Sequence, residues 1–227
     1  MPVYPFKALS ASYKELVSFT LADGPLRQDI KFFTLMNRPG SPVLRYNTIM
    51  RGCDIPGLFE GDIIEYKGKK YIIRYEMGLA AVSLDKEVIP VNKLEYINVV
   101  DNMYFQKEFP ITYCNRLTFK YIEKGDNKYK GNYKYFGIKS ITGAFKDKSL
   151  IAIYGSKLVD EDSILQFTGV RYKGERIHFG ECIEGNPLYM EKGRLLIKAL
   201  GGCHDVKSSP ILLQLAGKWR YENEPVE

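Results

Sequence analysis

Histidine occurs twice and tryptophan once in this chain of 227 residues. With only His178 and His204 as bases or ligands, Ser/His/Asp and Cys/His catalysis have few combinations to draw on. The patterns GxSxG, HExxH and GxxxxGK(S/T) are absent, as is a dinucleotide-binding glycine fingerprint. The four cysteines (Cys53, Cys114, Cys182, Cys203) are widely spaced, with no CxxC pair. That excludes zinc knuckles and reads as reduced cytosolic thiols rather than a disulfide framework. No stretch approaches the roughly 18 consecutive apolar residues of a membrane span. The opening MPVYPFKALSASYKELV lacks the charged-then-apolar order of a signal peptide, so a cytoplasmic location is expected. No long 3.6-residue amphipathic period appears, and few helices are expected.

What the sequence has in quantity favours strands. Hydrophobic residues make up 45%, enough for a core, and 17 Tyr and 12 Phe suit pleated, half-buried surfaces. The 20 Gly and 11 Pro are spread through the chain, as many turns require. The net charge of +6 and pI of about 8.9 permit contact with nucleic acid without demanding it.

Along the chain, SASYKELVSF reads as a short helix, with Ser10 or Ser12 as cap and Glu15 completing a capping box. From Thr48 to Val100 the signals are nearly all strand. GLFEGDIIEYKGKKYIIRY contains two extended runs joined at Lys67-Gly68-Lys69, where Gly68 supplies the backbone of a tight hairpin. Tyr71, Ile73 and Tyr75 share one parity, with Ile72 and Arg74 on the other. Pro90 is expected at an edge or bulge. Further strands are expected in NRLTFKYIEKG, NYKYFGIKS, SLIAIYGS, SILQFTGVRYKGERIHFGECI, GRLLIKAL and PILLQLAGKW, before a polar tail.

An internal repeat relates the segment from Thr48 to the segment from Ser163. Gly52 falls on Gly169; after a short gap Leu58-Phe59 falls on Ile177-His178, Gly61-Asp62 on Gly180-Glu181, and Ile64 on Ile183. LVSFTLADG and RLTFKYIEKG precede the two copies as strands of similar composition. In the Glu-Gly-Asp stretch, Gly61 can take a left-handed or bulged backbone and Asp62 can accept nearby N–H groups, a structural account that covers the motif.

Phe167-Thr168-Gly169, Gly174 and Leu58-Phe59-Glu60-Gly61-Asp62-Ile63 resemble the signature of the YopX family of phage and prophage proteins. Ile177-His178-Phe179-Gly180-Glu181-Cys182 matches the ending less well, and the family's usual N-terminal opening is absent. The resemblance covers about fifty residues around each copy. It implies a small β-barrel-like fold and an origin in a phage or other mobile element, and carries over no catalytic residues.

Four groups of residues are weighed for chemistry. Cys203-His204-Asp205, with His178 and Cys182 upstream, is the most ligand-like set, yet its spacing fits a polar turn after Gly201-Gly202. Asp160 and Asp162 read as a solvated turn. Lys128, Lys130 and Lys134 share one strand parity, and Tyr129, Tyr133 and Tyr135 the other. Single-strand binders combine cations for phosphate with rings for stacking, whereas an amphipathic strand with Tyr inward and Lys outward accounts for the same pattern. Lys67, Lys69 and Lys70 at the hairpin carry the same two readings.

The sequence therefore leads to a mainly β protein of two tandem, small β-barrel-like units with few short helices, divided as 1–100 with an N-terminal arm and 101–227. The expected role is non-enzymatic and needs no cofactor or metal: a phage or mobile-element protein docking to a protein assembly, as a neck, tail or capsid accessory component. Its partner would be another protein or a second copy of itself, with no membrane contact, in the host cytoplasm or incorporated into a virion. The alternative is a nucleic-acid-binding accessory or anti-defence protein acting on a host factor.

Overall fold

The computed structural model describes residues 4–75, 78–111, 118–121, 134–137, 152–153, 157–158, 163–172, 175–183, 186–199, 202–206 and 219–221. The protein is mainly β, as its composition requires. The first segment contains β1 (Phe6–Leu9), β2 (Leu16–Phe19), β3 (Pro25–Arg27), β4 (Phe32–Leu35), β5 (Leu44–Arg45) and β6 (Met50–Arg51). The second contains β7 (Asp62–Tyr66), β8 (Lys69–Tyr75), β9 (Leu79–Val82), β10 (Val88–Pro90) and β11 (Val99–Asn102). The third contains β12 (Thr118–Tyr121), β13 (Lys134–Gly137), β14 (Ala152–Ile153) and β15 (Lys157–Leu158). The fourth contains β16 (Leu165–Tyr172), β17 (Glu175–His178), β18 (Cys182–Ile183), β19 (Asn186–Glu191), β20 (Arg194–Ala199), β21 (Gly202–Asp205) and β22 (Trp219–Tyr221). Helical elements among the described residues are the three-residue 3-10 turns Leu21–Asp23, Tyr46–Thr48 and Val91–Lys93.

Two compact units are each assembled from two separated segments. The first comprises Met1–Arg51 with Tyr113–Gln166, the second Gly52–Thr112 with Phe167–Glu227. The sequence reading divides the chain once, at residue 100.

In the first unit, β1 lies between β2 and β6, and β3, β4 and β5 form a second small sheet. The helix expected in SASYKELVSF is a turn followed by strand β2. Ser10 Oγ does accept the N–H groups of Lys14 and Glu15, both at 3.3 Å, but Leu16–Phe19 then pairs with β1 in the register Phe6 to Phe19 and Leu9 to Leu16. Strand pairing wins because it seats Phe19 in the core, and one serine cap cannot outweigh that burial. The core joins Phe6, Phe19, Phe33, Leu44, Tyr46, Ile49, Phe119 and Ile164. Phe33 stacks on Tyr46 with ring centroids at 4.7 Å, and Phe6 meets Phe119 edge to face at 6.1 Å. Each such buried ring contributes on the order of 2–3 kcal/mol by area, before its loss of rotamer entropy.

The second unit contains an antiparallel sheet in the order β10-β9-β8-β7-β11 and a four-stranded meander in the order β18-β19-β20-β21. From Tyr71 onward strand β8 is buried on both faces: Tyr71, Ile72, Ile73 and Tyr75 are all in the interior and Arg74 is half-buried, whereas Lys69 and Lys70 at its start are half-buried and exposed. Lys67 and Gly68 have φ of 52° and 75°, and Lys192 and Gly193 have φ of 49° and 73°. Both pairs are two-residue hairpin loops with left-handed central residues, the geometry whose twist matches the flanking strands. Asp54 braces the second loop, accepting from Lys192 N–H at 2.6 Å and Gly193 N–H at 2.8 Å.

The β-barrel-like closure expected from the sequence is not present in any of these sheets. The five-stranded sheet ends at β10 and β11, and barrel closure would require those edges to meet with a fixed stagger. Edge strand β10 is three residues long and ends in Pro90, which has no N–H to give to a further strand.

Candidate functional site

The Gly-Asp pair of the hairpin and its echo at Gly180-Glu181 form the same turn. Phe59 N–H donates to Asp62 Oδ2 at 2.9 Å, Asp62 N–H to the Phe59 carbonyl at 3.1 Å, and Gly61 N–H to the Ile73 carbonyl at 2.8 Å. In the second copy His178 N–H donates to Glu181 Oε2 at 2.6 Å, Glu181 N–H to the His178 carbonyl at 3.1 Å, and Gly180 N–H to the Leu188 carbonyl at 3.3 Å. Gly61 and Gly180 have φ of 86° and 88°, a left-handed backbone that favours glycine. Asp62 is 1% exposed and also accepts from Asn102 Nδ2 at 2.9 Å. These carboxylates hold backbone in place.

One detail of the sequence alignment changes. Gly52 bridges Phe59, and Phe167 pairs with His178. The residue equivalent to Gly52 is therefore Phe167, not Gly169. Identity of glycines misled the alignment; ladder partners identify the equivalent position.

The hairpin lysines are each closed onto carboxylates. Lys67 Nζ lies 3.1 Å from Glu95, Lys69 Nζ 2.8 Å from both Asp85 and Glu87, and Lys70 Nζ 2.9 Å from Glu108. Tyr71 donates its hydroxyl to Glu87 at 3.1 Å, and Ser83 donates to Asp85. Lys69, and after it Ser83, hold the Asp85 carboxyl down at about 2, and Lys69 with Tyr71 lowers Glu87. All three ammonium groups are raised above their usual range, Lys67 by Tyr66 and then Glu95, Lys69 by Asp85 and Glu87, and Lys70 by Glu108. A folded value below the unfolded one means that Asp85 supports the fold at neutral pH. That support is lost as pH falls from about 4 through about 2, and it is small because water screens exposed pairs. We expect the Asp85 carboxyl carbon, followed by NMR in acid, to titrate near 2 in the native protein and to move back towards the ordinary carboxylate range in Lys69→Ala.

The second cationic group lies mostly elsewhere. Lys128, Tyr129, Lys130 and Tyr133 are outside the described residues, as are Asp160, Asp162 and Cys114. Lys134 and Tyr135 lie on β13, where Tyr135 is opposite Lys120 and Lys134 opposite Tyr121.

An arrangement that sequence reasoning missed sits in the first unit. Tyr13 has φ of 59°, unusual for a large side chain, and is 58% exposed. Arg45 places its guanidinium carbon 3.8 Å from the Tyr13 ring centroid and 5.1 Å from that of Phe32, and donates to the Ala11 carbonyl at 3.1 Å. The partners are 13, 32 and 45 in the chain and share no local motif.

The cysteine and histidine candidates divide by burial. His178 is fully buried, with Nδ1 3.2 Å from Glu181 Oε2 and its ring 5.8 Å from Phe167. His204 and Cys203 lie on β21 opposite Ile197 and Lys198, and Cys182 and Cys203 are exposed. A bond with Cys203, together with burial, pushes the Tyr189 hydroxyl up to about 12. Burial pushes the Cys53 thiol up to about 12, so almost none of it is thiolate at neutral pH. Alkylation at pH 7 in a Cys114→Ala background should therefore modify Cys182 and Cys203 and spare Cys53 until the protein is denatured. Among the described residues, no group of three or more His, Cys, Asp or Glu is placed to hold a metal ion.

Comparison with protein-family models, with curated proteins and with solved structures finds no match.

Proposed function

We propose that the chain is a non-enzymatic docking protein of a phage or other mobile element, in its most specific form a neck, tail or capsid accessory component. The observation that carries this reading is the free side of β11, the last strand of its sheet among the described residues. Val99 and Val100 on it are each 43% exposed, and Tyr96 and Phe105 flank it as exposed rings. An extended strand of a partner protein can add to such an edge, with backbone hydrogen bonds for affinity and apolar contacts for selectivity. The closure of Lys67, Lys69 and Lys70 onto carboxylates supports the same reading, since each ammonium charge already has an acidic partner within this chain. The phage origin rests on the YopX-like stretches at Leu58–Ile63 and Phe167–Gly169.

Co-sedimentation of the full chain with virions, together with light scattering of the purified protein, tests the proposal. A Val99→Lys, Val100→Lys double variant should keep its melting temperature and lose the association. A clean monomer that accompanies neither virions nor a host complex would count against the role.

The Tyr13–Arg45–Phe32 stack favours a second reading, an accessory or anti-defence protein that binds nucleic acid. An exposed ring beside a guanidinium and the exposed Lys14 and Lys31 offers both stacking and phosphate contact. Binding to single- and double-stranded oligonucleotides across a salt series decides it. Affinity that falls steeply with salt and drops in Tyr13→Ala supports it, and no binding at low salt ends it.

A further inference from the structure

We propose that the chain is a fused dimer: residues 1–112 and 113–227 are two copies of one half, and each compact unit is an interface between equivalent segments of the two. The halves are thus each other's binding partners, and the surface each presents fits a second copy of itself.

The register supports this residue by residue. In the first unit Phe6 is opposite Phe19 on one side and Arg51 on the other, and Phe119 is opposite Phe136 and Gln166. Lys7 is opposite Ser18 and Met50, and Lys120 opposite Tyr135 and Leu165. Strand order is likewise β2-β1-β6 and β13-β12-β16. Thr48-Ile49-Met50-Arg51 therefore corresponds without a gap to Ser163-Ile164-Leu165-Gln166, and Ile49 and Ile164 share one core. Both copies pass from the first unit to the second at the same place, between Arg51 and Gly52 and between Gln166 and Phe167.

In the second unit the paired Gly-acid turns set the correspondence. The Ile73 carbonyl accepts Gly61 N–H and the Leu188 carbonyl accepts that of its counterpart Gly180, and the two acceptors pair with Ala81 and Ile197. Counting back along β9 and β20 makes Gly78 the equivalent of Arg194. These two residues bridge one another, and Leu79 N–H donates to the Gly193 carbonyl. Phe6 and Phe119, equivalent in the first unit, also touch. Contact between equivalent residues is what a local two-fold axis produces, as at the interface of a symmetric dimer. It occurs independently in both units. The copies differ at the periphery: β11 pairs with β7 in one, whereas β22 pairs with β16 in the other.

A physical reason for the pairing is burial. A lone hairpin such as β1–β2 cannot cover Phe6 and Phe19, and an isolated two-stranded hairpin is marginal in water. Joining like segments from two halves doubles the apolar face available to each.

Two measurements on full-length chains test this. In the first, residues 113–227 are replaced by a second copy of 1–112. The proposal expects a β-rich monomer with one cooperative melt and about half the amide NMR signals its length would give, because the copies become equivalent. A folded monomer with a full set of signals overturns it. In the second, a protease site is inserted between Thr112 and Tyr113 of the native chain. The cut halves should remain one particle of 26.1 kDa and part only in denaturant. Halves that separate under native conditions, each still folded, overturn the proposal, and this measurement decides the matter if the symmetrised chain is insoluble.

Discussion

Gly78→Ala is expected to lower stability by about 3 kcal/mol, read from the urea midpoint by circular dichroism. A Cβ at this position would lie 2.9 Å from Arg194 Cα, 2.9 Å from the Gly193 carbonyl oxygen and 2.9 Å from Leu195 N. All three are backbone atoms, so no side chain can swing away. The φ of 112° adds strain that any L-residue would bear. Gly57→Ala is the matched control. Its φ is 79° but nothing lies within 4 Å, and its cost should be about 1 kcal/mol. Equal losses in the two variants would show that strain alone, and not the close backbone approach, makes glycine necessary at 78.

Asp62→Ala is expected to cost a similar amount, about 3 kcal/mol. The carboxylate is almost completely buried and accepts from Phe59 N–H and Asn102 Nδ2. Truncation leaves both donors without this acceptor in a place water does not reach, which costs more than the net value of the bonds. Glu181→Ala removes the corresponding bond to His178 N–H and the 3.2 Å contact with His178 Nδ1, but the Glu181 side chain is 21% exposed, so water entering the space it leaves can reach these groups and the cost should be lower, about 1–2 kcal/mol. Matched unfolding curves of the two variants check the ordering. A Glu181 variant as damaging as the Asp62 variant would mean that burial does not set the difference.

Much of the local structure could be read from residue order. Tight turns at Lys67-Gly68 and Gly61-Asp62 followed from glycine and acid placement, because those preferences act within four residues. Pro90 falls on an edge for the same local reason, its missing N–H. The stretch after Ser10 misled because its serines can cap a helix or close a turn equally well, and only Phe19 meeting Phe6 selects the strand. The hairpin lysines carried two readings, phosphate contact or a solvated hairpin, because their partners Glu95, Asp85, Glu87 and Glu108 are 16 to 38 residues away in the chain. Tyr13, Arg45 and Phe32 carried no signal at all, since none is a neighbour of another.

The sequence by itself determined that this protein is mainly β, where several of its turns lie, and that two stretches with a Gly-acid pair resemble each other. Those properties depend on side-chain alternation and backbone preference, which act over a few residues. The tertiary structure decided which strands meet: that the sheets stay open, that Gly52 corresponds to Phe167, and that segments 1–51 and 113–166 share one unit while 52–112 and 167–227 share the other. Strand pairing is a choice among many chemically similar edges. It is settled by which combination buries Phe6 with Phe119 and admits Gly78 against Arg194, contacts between residues more than a hundred positions apart.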